Sequence, residues 1–301
     1  MMLTQVKQGV GNIIEEGVEI PANVTLGNYN VIRKGVRFEV LAGAGQFHIG
    51  DCNVFNENVK VLIGPSGISV GDWNVFHNSI LVTAIGDIPT TIGHNCWFGQ
   101  NSILDGSGGL TIGHGVRIGM YSQVWSHVAS GEQLEGCLLH STGHTVIEND
   151  VWLVGSCIVA SGVTIRERTI CMTTSFIQKN TDAHSTYSGN PAKKQEKLKL
   201  WYKPTMAEKL GMMKKWSHEF VGLNPDIRLE EEDGILRLTN TLGEVVIIGC
   251  ADTLPELSAG QSYFSLATKN YTKSLSQLER KFYKYIYNNK ARFLPINTSN
   301  E

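Results

Sequence analysis

Residues 125–144 collect side chains suited to moving a proton. His127 follows Trp125 and Ser126, and His140 and His144 come later, with Glu132, Glu135 and Cys137 between them. Imidazole, with an ordinary pKa near 6.5, serves as base or acid at neutral pH. Either glutamate could fix an imidazole's tautomer by accepting from its other nitrogen. His140 or His144 could orient His127 or touch an acceptor, but solvated loop side chains are the plainer reading for these four. Cys137 as a nucleophile would open a covalent route. A second pair, His94 and His114, each follow an Ile-Gly step. In a stacked structure two such imidazoles could begin a metal site. No third ligand stands at a matching spacing, so exposed turn histidines are the favoured reading.

Other patterns narrow the chemistry. The six cysteines (Cys52, Cys96, Cys137, Cys157, Cys171 and Cys250) form no CxxC pair. Their scatter in or beside apolar stretches predicts small core fillers in a reducing compartment, not a zinc or disulfide framework. No glycine-rich phosphate loop is present. The chain has 301 residues, 42% of them hydrophobic, and a net charge of −2. That composition supports a real core and argues against a dedicated nucleic-acid binder. No apolar run reaches the roughly 18 residues of a transmembrane helix, and Met1–Val10 shows no signal-peptide pattern. A cytoplasmic location is expected.

The elements that would carry these residues show in a six-residue period. Ile147, Leu153, Val159, Ile165, Cys171 and Ile177 are six apart, as are Ile14, Ile20, Leu26, Ile32 and Phe38. The same step recurs in Ile49-Phe55-Val61, Val70-Phe76-Val82, Ile92-Phe98-Leu104 and Ile112-Ile118-Val124. A modest residue stands two places before each large one (Asn30, Asn53, Asn74, Cys96), and glycine commonly follows (Gly50, Gly71, Gly93, Gly113). A helix would need a 3.6 period and few glycines. A coil of three short flat strands fits: large residues fill the axis, small ones sit at the corners and glycine relieves the bends. Spacing predicts about eight coils, with one insertion of about 17 residues between Val124 and Thr145. Packing does not need that insertion, which contains His127.

This pattern, over residues 8–192, resembles the left-handed parallel β-helix of the hexapeptide-repeat acyltransferases, including sugar O- and N-acetyltransferases. Its most specific parts are Thr145-Val-Ile-Glu-Asn-Asp-Val-Trp152 with Leu-Val-Gly155-Ser156, and Ser188-Gly-Asn-Pro-Ala-Lys193. One departure is Met172-Thr173-Thr174, where the family has Gly-Ala-Gly. The resemblance implies a homotrimer with His127 as general base at a subunit interface. It implies acetyl-CoA as donor, lying in the groove between prisms. Trp152, Gly155 and Ser156 would line the thioester and pantetheine, Thr173 would offer an amide contact, and Lys179 and Lys193 would face the CoA phosphates. The acceptor would be a hydroxyl or amino group of a sugar or sugar conjugate. Two alternatives stand beside it: a metalloenzyme like the γ-class carbonic anhydrases, and a non-catalytic solenoid that binds glycan or protein.

Charge divides the chain. Residues 1–192 hold 9 Lys/Arg and 15 Asp/Glu, net −6, and residues 193–301 hold 17 and 13, net +4. A boundary between 192 and 193 is expected. The second part predicts a small α+β domain. It would have an amphipathic helix over 205–220, a strand from Ile227, a hairpin through Gly234 and Thr241, and a last helix capped by Ser274. Its Lys/Trp/Tyr-rich start could hold an anionic acceptor or lie near a membrane surface, although a solvated face is the plainer reading.

Overall fold

The computed structural model describes residues 7–252, 255 and 257–296. The chain divides into two compact units, Met1–Trp201 and Tyr202–Glu301.

The first unit is a three-sided parallel β-helix. One face holds eight strands, from Lys7–Gln8 to Thr164–Ile165. A second holds ten, from Ile13–Ile14 to Lys193–Lys194, and a third seven, from Arg37–Val40 to Phe176–Ile177. The faces are therefore unequal and do not each carry the expected eight. Lys193–Lys194 still pairs with Thr186–Ser188, antiparallel, so the unit extends past residue 192.

The hexad explains the interior. Ile32, Phe55, Phe76, Phe98, Ile118 and Leu153 stack in register and are at most 1% exposed. The Phe55 and Phe76 rings lie 4.5 Å apart and 7° from parallel, and Phe76 and Phe98 are 4.8 Å apart. The modest positions form a second column. Asn53 N–H donates to Asn30 Oδ1 at 2.9 Å, Asn74 N–H to Asn53 Oδ1 at 2.8 Å and Cys96 N–H to Asn74 Oδ1 at 2.8 Å. Each buried amide thus finds a partner one coil away. Cys52, Cys96, Cys157 and Cys171 are buried fillers, whereas Cys137 is half-buried and Cys250 exposed; all six are free thiols.

The structure corrects the expected role of glycine. At the corner after the first face the left-handed position lies two places beyond the glycine that follows the large residue, and is filled by Tyr29, Cys52, Trp73 and Asn95 and, on other coils, by Gly11 and Gly115. The glycines that follow the large residues are needed for close approach. A Cβ on Gly50 would lie 2.2 Å from Asp72 Oδ1, and one on Gly93 2.6 Å from His114 Nδ1. Space is short there because the next residue of the coil above turns its side chain onto the corner.

The predicted insertion is an antiparallel hairpin. His127–Ala129 pairs with His140–Thr142, in the register His127 to Thr142. It leaves the corner between the third and first faces.

The second unit is α+β, with a six-stranded mixed sheet in sequence order from Ile227–Glu232 to Leu294–Ile296. Its first helix, Met206–Gly222, starts at a Thr205–Glu208 capping box, as the Thr-x-x-Glu spacing allows. Its core gathers Phe220, Phe264, Tyr271, Phe282, Tyr283 and Phe293. The last helix, Gln277–Ile286, is capped by Ser276 and not by Ser274. The Ser274 hydroxyl and N–H both donate to Glu279 Oε2, so this serine is committed elsewhere. Among the described residues, no helix is long and apolar enough to cross a membrane.

Candidate functional site

His127 stands at the root of the hairpin, where the chain leaves the third face after Gln123–Val124. That face places Val124 directly against Leu104 of the preceding coil. The residue after Leu104 is Asp105, so it lies beneath the segment that carries His127. Asp105 Oδ2 is 2.7 Å from His127 Nδ1. The carboxylate side chain is 2% exposed and the imidazole 37%.

Asp105 is held from several sides. Thr83 Oγ1 donates to Oδ1 at 2.8 Å and Ser107 Oγ at 2.6 Å. The Ser126 N–H and hydroxyl each donate to Oδ2 at 2.9 Å. Burial pushes the Asp105 pKa up. The hydrogen bonds from Ser107, the Ser126 backbone, His127 and Thr83 outweigh burial and hold it well below the usual carboxylate range. An ionised carboxylate can only accept, so Nδ1 is the donor, and in the neutral imidazole Nε2 then holds the lone pair. Nε2 has no protein partner among the described residues. Trp125 packs its edge toward the imidazole, with centroids 6.3 Å apart at 75°. Ser126 locks the turn: its hydroxyl accepts from Gly108 N–H and its carbonyl from Gly143 N–H. The arrangement is a fixed imidazole with one free basic nitrogen at a partly exposed edge.

The other loop candidates do not join it. His140 lies on the opposite hairpin strand, exposed and paired in register with Ala129. His144 Nε2 is 2.8 Å from Thr111 Oγ1 on the first face. Glu132 and Glu135 are exposed near the hairpin tip. The orienting acid is Asp105, 22 residues before His127, which inspection of the loop alone misses. A usable signal was present: a one-coil step of 20 residues from Leu104 to Val124 sets Asp105 beside Trp125.

His94 and His114 stack at 5.1 Å and 21°. They are not simple water-exposed turn histidines. Asp72 N–H donates to His94 Nδ1 at 2.8 Å, His94 N–H to His114 Nδ1 at 3.0 Å and His114 N–H to Asn149 Oδ1 at 2.7 Å. Both imidazoles continue a column that Asn28, Asp51 and Asp72 begin. Burial lowers the His114 pKa, opposed by the nearby Asp150 charge, which favours the neutral acceptor form. Among the described residues, no three His, Cys, Asp or Glu side chains form a group that could hold a metal ion.

Of the expected donor-site residues, Trp152, Gly155, Ser156 and Thr173 lie together at a different corner, between the second and third faces. Trp152 lies on the second face, 45% exposed. Gly155 and Ser156 form the turn that follows, and Thr173 occupies the equivalent place one coil on. Met120, Gly155 and Thr173 stack there, and among the described residues their N–H groups donate to no protein acceptor. A Cβ on Gly155 would meet nothing closer than 3.7 Å, so packing does not require this glycine. In contrast, a Cβ on Gly119 would lie 2.1 Å from Val154 O. Lys179 is exposed on the corner between the third and first faces, and Lys193 is exposed on the last strand of the second. Within one chain, His127 and Gly155 thus stand at opposite edges of the third face.

No family model matches the chain. Its structure is similar to those of acyltransferases of low sequence identity. Arabidopsis UDP-N-acetylglucosamine acyltransferase is 14% identical, covering 76% of this chain and 86% of that one at a TM-score of 0.45. A polysialic acid O-acetyltransferase is 15% identical over 68% of this chain and 96% of its own, TM-score 0.42. An N-acyltransferase from Bacillus cereus, solved with dTDP and 3-hydroxybutyryl-CoA, is 12% identical over 63% and 87%, TM-score 0.38.

Proposed function

We propose that the protein is a CoA-dependent acyltransferase, with acetyl-CoA as donor and a sugar hydroxyl or amino group as acceptor. The observation that carries this reading is the His127–Asp105 contact at 2.7 Å, which occupies Nδ1 and leaves Nε2 without a protein partner among the described residues. Nε2 takes the acceptor's proton as its oxygen or nitrogen attacks the thioester carbonyl carbon. The C–S bond then breaks, and the CoA thiolate leaves with the proton returned by the imidazolium. Asp105 does not take that proton. It holds the tautomer and stabilises the transient positive charge.

The unpartnered N–H of Gly155 suits an oxyanion or a pantetheine carbonyl. The missing side chain there keeps the corner open to a ligand, with Trp152, Ser156 and Thr173 around it. Lys179 and Lys193 are exposed, as charges meeting CoA phosphates need to be. The base and the amide column lie on opposite edges of one face. A homotrimer, in which one chain's His127 corner meets another's Gly155 corner, brings them together.

Calorimetric titration of acetyl-CoA into the purified protein tests the donor. Micromolar binding with one site per chain supports the reading and opens a screen of sugar acceptors. No binding to acetyl-CoA or to longer acyl-CoA, with and without acceptor sugars, would refute it.

A further inference from the structure

The end of the first unit carries side chains that acyl transfer leaves unused. Residues 193–203 read Lys-Lys-Gln-Glu-Lys-Leu-Lys-Leu-Trp-Tyr-Lys, five lysines against one glutamate, after 192 residues with a net charge of −6. No strand or helix forms between Lys194 and Met206. Leu198, Leu200 and Trp201 are 40%, 48% and 42% exposed. Lys197 and Lys199, between them, are exposed as well, and among the described residues neither is in an ion pair, whereas Lys194 is tied to Asp182.

This is a poor surface for water alone. Three large apolar side chains are partly exposed within four residues, Trp201 with the Arg168 guanidinium 5.7 Å over its ring; Leu134, Leu138 and Leu139 of the hairpin are more exposed, but no lysine stands among them. A soluble polyanion would answer the lysines and leave the leucines and tryptophan wet. An apolar protein face would bury the leucines and strand the ammonium groups. The headgroup layer of an anionic bilayer satisfies both. Lysine stems lie along apolar surface with their charge at the phosphates, and tryptophan favours that interface.

We propose that residues 197–201 bind the surface of an anionic membrane and hold the β-helix against it. This does not depend on the acyl-transfer reading, and the surface residues concerned touch neither His127 nor the Gly155 corner.

The test is sedimentation of the full chain with vesicles of phosphatidylcholine, with and without about 30% phosphatidylglycerol. Binding is expected only to the second. K197E/K199E should lower the partition constant at least 20-fold, approximately, for two lost lysine contacts. L198S/L200S/W201S should lower it roughly tenfold or more, with the parental circular-dichroism spectrum. W201S alone replaces the triple variant if that spectrum changes. Failure to bind anionic vesicles overturns the proposal. So does full vesicle binding by the serine variant, which would mark a site for soluble polyanions. A drop in oligomer mass of either variant on gel filtration would assign the segment to an interface between copies and overturn it equally.

Discussion

Two corners of the same β-helix use histidine in opposite ways. At the corner after the first face, His94 and His114 accept backbone N–H groups through Nδ1, taking the place that Asp51, Asp72 and Asn149 fill on other coils. At the corner after the third face, His127 donates from Nδ1 to the buried Asp105. The first pair spends its lone pair on the chain's own backbone. The second directs its lone pair away from the protein. Residue type and exposure do not separate a histidine that ties the backbone from one whose second nitrogen is left open. The partner of Nδ1 does, because it selects which nitrogen keeps a free lone pair.

His127→Ala should lower kcat about 10²–10⁴-fold, the usual scale for a lost general base, with the parental melting temperature. Unchanged turnover would remove His127 from the mechanism. Asp105→Asn should cost up to about 10⁴-fold in kcat with KM nearly unchanged, since an amide can donate to Nδ1 and favour the wrong tautomer. A rise in KM alone would instead mark Asp105 as a substrate contact.

The structural end predicts stability, not rate. His114→Ala leaves the His94 N–H without its acceptor and should cost about 1–3 kcal/mol by denaturant unfolding. His114→Asn restores an acceptor of the kind Asn149 supplies, and should recover most of that loss. Equal losses in both variants would show that ring stacking, not the hydrogen bond, is what the position provides.

The smallest effect is a pH window. The folded pKa of His114 is depressed from 6.5, so its contribution is present above about pH 6.5 and is lost as pH falls through the folded value. Asp105 is also depressed, from 3.8, so its contribution persists above about pH 4 and is lost only in stronger acid. Acidification should therefore weaken the ladder corner before the His127 corner. Urea midpoints between pH 7 and 4.5 should slope less in His114→Asn than in the parent. A parallel slope would place the acid sensitivity elsewhere, for instance at His77, whose pKa burial also lowers.

The coil is legible in the six-residue repeat. Buried axis positions must repeat every six residues, so Ile147, Leu153 and Val159 announced the fold, and the broken phase after Val124 announced the insertion. His127 was legible because it opens a segment that packing does not need. Apolar spacing also marked the helix over 205–220, since an amphipathic face repeats with each turn, whereas the cap of the last helix, expected at Ser274, is Ser276. Asp105 was decided only by tertiary structure. It and His127 are brought together by the stacking of coils, and nothing in the loop's own residues records which carboxylate lies beneath it. The same holds for the glycines. Their positions were visible, but their reason, the side chain of the next coil pressing on the corner, exists only once the coils are stacked. Short-range rules reach as far as one turn or one strand. The partner of each Nδ1, at His114 as at His127, was set by contacts some 20 residues away.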